Sequence, residues 1–280
     1  MRSAVSDAKK ERIPAGVQEM NLMWFYNLPN WLFTAFVVGL WTFIGISGLY
    51  LTRKRIARIH SEHPHNEVVS YFLAAAAVFY GIALGLIAVA AWQAFSTTAT
   101  KVESEAASLA ALYRDVSFYP EPLRSKLQGD LKDYTQYVID KAWSLQRKGI
   151  IPQDGTIRLN EFQAVLVNFE PTTQREKIAA AEAQHAFNQM VELRRMRLMS
   201  VQSRLPKSVW IVVVLGAIAT LAITWFFQAR SFKVHFWMTL IFSALLGLII
   251  QLLAVMDHPY LGDFSIGPQA FQVVYDQLMQ

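Results

Sequence analysis

Three groups of residues have types and spacings that chemistry could use. The first is "HSEHPH", which offers His60, Glu62, His63 and His65. Imidazole and carboxylate are reasonable ligands for zinc or nickel. Pro64 breaks any helical spacing among them, and no further ligand cluster stands nearby. The stretch reads as a solvated, pH-responsive loop, and no metal is expected. The second is "DGTIRLNEF", Asp154 to Phe162, which has the outline of half a calcium loop. The ligating positions upstream should carry oxygen donors. They hold Ile150 and Pro152 instead, so an Asp-Gly turn followed by a short helix, Asn160 to Phe169, is expected. The third group is polar but uncharged and sits inside apolar text. It comprises Thr220 and Thr224 in one run, and Thr239, Ser243, Gly247 and Gln251 in another. Such rows can line a wet path or pack helices together. Gln251, a whole amide, must face protein or water. No nucleophile stands beside a base, and no glycine loop could cradle phosphate. The chain reads as a non-enzyme, with no cofactor.

The runs that hold those polar residues set the architecture. Four stretches lack Asp, Glu, Lys and Arg: Trp31–Thr52, Val68–Ala94, Val209–Phe227 and Val234–Met256. A helix needs about 20 apolar residues to cross a bilayer, and each run is near or above that length. The whole chain of 280 residues is 54% hydrophobic and 17% charged. The expectation is an all-α membrane protein with four transmembrane helices and a helical extramembrane domain between the second and third. Residues 1–28 form a polar tail with Trp24, Phe25 and Tyr26 as interfacial aromatics. Residues 29–97 hold the first two spans and 98–206 the helical domain. Residues 207–256 hold the last two spans and 257–280 a C-terminal clamp. The basic "KKER" is followed by Pro14 rather than an apolar core, so the first span is expected to be retained. With no cysteine, disulfide and thiolate chemistry are excluded. The net charge of +5 fits basic loops near anionic lipid, not nucleic acid. Four crossings put both termini and the middle domain on one side. Arg53, Lys54, Arg55, Arg58, Arg230 and Lys233 face Arg194, Arg195, Arg197, Arg204 and Lys207 across the membrane. Charge therefore assigns no orientation.

Within the middle segment, Val102, Ala106, Leu109, Leu112 and Val116 recur at helical spacing. The second span should continue past the bilayer until "YPEP", Tyr119 to Pro122. A helix should start near Pro122 with Leu127, Leu131, Tyr134 and Val138 as its stripe. Thr173 and Glu176 fit a capping box for a long helix leading to Leu205. In the second span, Ala77, Gly81 and Gly85 follow the small-xxx-small pattern of close helix contact, and Gln93 extends that row. No ionisable residue lies within a span except boundary groups such as His235 and Asp257, which argues against a proton-coupled transporter. A passive pore remains open, and four helices per chain favour one on the axis of a cyclic oligomer.

The close of the chain, "MDHPYLGDFSIGPQAF", is similar to the Asp-x-Pro-aromatic-x-Gly ending of a bacterial membrane family called bestrophin-like. "FSTTATKVESEAASLAALYRDVSFYP" and "LKDYTQYVIDKAW" add to the likeness, which covers roughly residues 30 to 275. That family is distantly similar to the bestrophins, which are oligomeric anion channels with four membrane helices per subunit. The resemblance implies a cyclic homo-oligomer with a central anion pore in the bacterial inner membrane. Asp257, Pro259 and Gly262 would then hold the clamp, with Tyr260, Phe264, Ile266 and Phe271 folding back. The apolar neck and acidic calcium clasp of animal bestrophins are not recognisable here. Expected partners are membrane lipid, further copies of the chain and a protein bound through residues 98–206. A membrane-anchored scaffold or sensor is the rival reading.

Overall fold

The structure is a computed structural model that describes residues 28–62, 66–229 and 231–280. Trp24, Phe25, Tyr26, His63, His65 and Arg230 lie outside the described residues. The described residues are mostly helical, with no strand among them. Four helices among them are long and apolar enough to cross a membrane. They are α1 (Asn30–Glu62), α2 (Asn66–Asp115), α7 (Lys207–Trp225) and α8 (Phe232–Met256). Between them run α3 (Leu123–Tyr137), α4 (Trp143–Gln146), α5 (Asp154–Val167) and α6 (Gln174–Ser200), and α9 (Gln269–Leu278) ends the chain.

Two helices exceed their apolar runs. The basic "RKRIAR", which follows the first apolar run, lies within α1 near its end. Its residues are good helix formers, and nothing before Pro64 interrupts the ladder. Helix α2 has 50 residues, which at 1.5 Å each makes it about 75 Å long. That is more than twice the roughly 30 Å of a bilayer core. Its first half joins the apolar helices. Its second half buries Val102, Ala106, Leu109 and Leu112 in a separate core.

That second core belongs to the middle segment and the C-terminus. Leu127, Leu131, Tyr134 and Val138 fill it from α3 and the wide helical turn Val138–Ala142 that follows. Phe162, Phe187 and Met190 come from α5 and α6. The capping box forms as spaced: Thr173 Oγ1 accepts from the Glu176 amide, and the Glu176 side chain accepts from the Thr173 amide.

Two expected boundaries move. Helix α5 starts at Asp154, six residues before Asn160, because the Asp-Gly pair is its first turn rather than a preceding loop. The amides of Thr156 and Ile157 donate to the Gln153 carbonyl. A Cβ at Gly155 would stand 3.1 Å from Arg194 Nη2 and 3.3 Å from the Tyr137 ring, so glycine lets α5 approach its neighbours. Helix α6 ends at Ser200, short of Leu205, and the chain turns there before Pro206.

Candidate functional site

The face of α2 is the least covered surface of the apolar helices. Only 6% of its most apolar stretch is buried within the chain, against 39% for α8. Gly81 and Gly85 lie on that open face. A Cβ built on either would meet nothing within 4 Å. Ser70 and Ala74 continue the row at helical spacing and are exposed too. The adjoining flank is bulky, with Phe72, Phe79, Ile82 and Leu86 all exposed. Gln93 is exposed further along, near the stacked rings of Trp92 and Phe95. The close contact that the Gly81–Gly85 spacing predicts is therefore not made among the described residues of one chain.

The polar rows of α7 and α8 point the other way. Thr220, Thr224, Thr239, Ser243 and Gly247 are all buried. Most of their hydroxyls close on their own helix: Thr220 on the Gly216 carbonyl at 2.7 Å, Thr224 on Leu221 at 2.6 Å, Ser243 on Thr239 at 2.7 Å. These rows buy close approach, since their small side chains let helix axes draw together. A Cβ at Gly247 would stand 2.9 Å from Val38 Cα in α1. A Cβ on Gly45 would stand 2.9 Å from Ser243 Cβ. Gln251 lies less deep than its position in the apolar run indicates. Its amide Nε2 donates at 3.4 Å to Asn30 Oδ1 at the start of α1.

Two further hydrogen bonds between the apolar helices come from aromatic donors. Tyr80 Oη donates to the Val213 carbonyl at 2.6 Å, and Trp225 Nε1 to the Gly45 carbonyl at 3.0 Å. Each ring lies on a glycine. A Cβ at Gly48 would be 2.1 Å from Trp225, and one at Gly216 2.3 Å from Tyr80. Sequence reading missed Gly45, Gly48, Tyr80 and Trp225. The available signal was chemical: a Tyr or Trp inside a span must find an acceptor for its polar tip.

The C-terminal clamp joins both cores. Asp257, buried at the end of α8, accepts from the Leu205 amide and, at 2.9 Å, from Trp210 Nε1. It thereby fixes the entry to α7. Gly262 has φ of 80°, a left-handed turn that favours glycine. The turn lets the Ile266 amide donate back to the Pro259 carbonyl at 2.8 Å. Asp263 accepts from the Asn30 amide at 2.8 Å, so the clamp also holds the start of α1. Tyr260 and Phe271 enter the middle core, with Ile266 packed against it. Phe264 stays 65% exposed, because the turn points it outward rather than back onto the domain.

Beneath the clamp lies a buried ion pair. Arg197 of α6 donates through Nε to Glu105 Oε2 at 2.5 Å and through Nη2 to Oε1 at 3.1 Å. Its Nη1 donates to Gln146 Oε1 at 2.6 Å, and Tyr134 Oη donates to Glu105 at 3.2 Å. Trp143 and Phe271 flank the guanidinium at 5.2 and 5.5 Å. Burial works against the charged guanidinium, but the adjacent Glu105 outweighs it and holds Arg197 above its ordinary range. Burial, then the charge of Glu105, push the Tyr134 phenol up. Sequence reading counted Arg197 among basic flanking residues. Neither Glu105 nor Arg197 carries a local pattern that reveals its partner.

Among the described residues no group of three His, Cys, Asp or Glu could hold a metal. Four apolar helices, packed through glycines and capped by a clamp, define a multi-pass membrane protein. Residues 7–271 match the bestrophin-like domain, and the chain belongs to the bestrophin-like family. No curated protein and no solved structure matches the chain.

Proposed function

We propose that the chain forms a cyclic homo-oligomeric, passive anion channel with α2 facing its axis. The observation that carries this reading is the open small-residue face of α2 at Gly81 and Gly85. It offers close approach to something outside the chain, and a neighbouring α2 is an occupant of the right shape. Polar rows on α7 and α8 are buried against neighbouring helices among the described residues, which favours a path between copies over one inside a chain. Family membership adds the relation to bestrophin anion channels. The middle segment and the far half of α2 lie outside the bilayer in this reading, since about 75 Å of helix exceeds its thickness. The membrane is the bacterial inner membrane, and conduction needs no proton-coupled residue.

The test is chloride and potassium flux, measured separately in liposomes, for the parent and for Gly81→Leu and Gly85→Leu. A Cβ at either position meets nothing within 4 Å, so the fold of one subunit should survive. The expected outcome is chloride flux in the parent, and loss of flux or of assembly in both variants. Unchanged oligomers and unchanged flux would remove α2 from the axis. Gln251→Leu, whose amide reaches only Asn30, is expected to leave selectivity alone.

A second reading has one observation in its favour. The middle unit exposes Ile157, Val167 and Ile178, each more than half accessible. A membrane-anchored scaffold or sensor would use such a surface to hold a protein partner. A stable partner in a mild-detergent pulldown, with no ion flux, would favour it.

A further inference from the structure

A cavity of about 430 Å³ opens between α2, α7 and α8, at the end where α7 turns into α8. Its size falls within the roughly 300–1,000 Å³ of small-molecule sites. Its walls are apolar, with Leu73, Phe242 and Leu245 among them. Polar groups gather at one end: Gln228, His235 and Thr239. Two facts give this cavity more character than a generic greasy groove.

The first is an unmet hydrogen bond. Thr239 is 2% exposed, and its Oγ1 has no partner. Every other buried hydroxyl in these rows closes on its own helix. The Thr239 methyl lies on the α1 side, 3.5 Å from where a Gly45 Cβ would stand. A buried hydroxyl without a partner is costly, so a ligand that meets it is favoured. The second fact is charge. Arg53, Lys54, Arg55, Arg58 and Lys233 are all exposed at this end. Asn66 and the Gln228 backbone exchange two hydrogen bonds there, at 2.9 and 3.0 Å, and Arg53 stacks at 4.2 Å over Phe232. These contacts draw the ends of α1, α2 and the α7–α8 turn together. Against these five cations the sequence sets two acidic residues, Glu62 at the end of α1 and Glu67 at the start of α2. His235 Nε2 lies 3.1 Å from the Thr224 carbonyl. A carbonyl only accepts, so Nε2 is the donor in this contact.

We propose that this cavity is a binding site for one anionic phospholipid. An acyl chain fills the apolar part beside Leu245. An ester carbonyl accepts the Thr239 hydroxyl, and the phosphate lies one turn further out, toward the basic end. Basic clusters between membrane helices suit anionic head groups. The inference rests on the chain being a multi-pass membrane protein and is independent of whether it conducts.

The test uses the full chain in mild detergent, with native mass spectrometry after titration with dioleoyl phosphatidylglycerol or dioleoyl phosphatidylcholine. The expected result is one retained phosphatidylglycerol per subunit, at concentrations tenfold below those needed for phosphatidylcholine. Leu245→Trp, which fills the cavity, should weaken retention at least tenfold. Thr239→Val, nearly the same shape, should weaken it severalfold. Ile211→Trp, exposed at the other end of α7, should not. Equal retention of both lipids would overturn the proposal, as would no retention or retention unchanged in Leu245→Trp. A change in oligomer mass with Leu245→Trp and no bound lipid would also overturn it, since a neighbouring copy would then be the occupant. If Leu245→Trp fails to fold by circular dichroism, Thr239→Val decides: unchanged retention there overturns the site.

Discussion

The two cores of this protein are built on opposite rules. In the apolar helices, contact is made by subtraction. Gly45, Gly48, Gly216 and Gly247 give up side chains so that rings and backbones can seat. In the middle unit, contact is made by addition. Tyr134, Trp143, Phe162, Phe187 and Phe271 fill the space, and a buried ion pair sits among them. On the proposed arrangement, with the apolar helices in lipid and the middle unit in water, the reason is the solvent around each. Lipid is as apolar as leucine, so helices there gain from close packing rather than from hiding apolar surface. Water rewards burial of apolar area by about 25 cal/mol per Å², so large side chains go inward in the middle unit. Helix α2 obeys both rules along its length, open and small-faced in one half, buried and leucine-rich in the other.

The largest expected effect sharpens this contrast at the ion pair. Glu105→Leu leaves Arg197 buried without its partner, and losing one member of such a pair costs about 3–5 kcal/mol. The double change Glu105→Leu with Arg197→Met should recover most of that loss. A thermal midpoint in detergent, followed by circular dichroism, reads both. If the single and double variants are equally damaged, the pair is not held together as described.

The same cluster has a pH signature. Tyr134 is held above its ordinary value by burial and by Glu105. A group with a raised folded value contributes fully below its unfolded value, about 10 for tyrosine, and loses that contribution as pH rises. The middle unit should therefore weaken above about pH 10, and Tyr134→Phe should weaken less steeply there. Parallel alkaline curves would show that Tyr134 is not the group responsible.

Glycine substitutions break the comparison from the other side. Gly48→Ala must displace the Trp225 ring and disturb its bond to Gly45. Overpacking of this kind costs about 1–3 kcal/mol. Gly81→Ala meets nothing in its own chain, so its cost should appear only where oligomers form. If both behave alike in dissociated subunits, the distinction between filled and open glycines fails. The smallest effect is expected at the α6 cap. Thr173→Ala should cost about 1 kcal/mol, read as a lower midpoint for the middle unit with the apolar helices unaffected.

The sequence by itself determined the elements. Uncharged runs of bilayer length require helices whose backbones satisfy themselves, and the capping box at Thr173 is a purely local device. Leucine spacing in α2 and α3 marked their buried stripes, because helical period is written into neighbouring residues. Partners at long range were decided only by tertiary structure. Nothing local joins Glu105 to Arg197, Asp257 to Trp210, or Gly48 to Trp225. Whether a glycine is a seat or a gap depends on what stands opposite it. Gly81 and Gly48 are both glycines inside an apolar helix, yet one faces open space and the other a tryptophan ring. Spacing along a helix fixes which way a residue points; only the packed fold fixes what it meets.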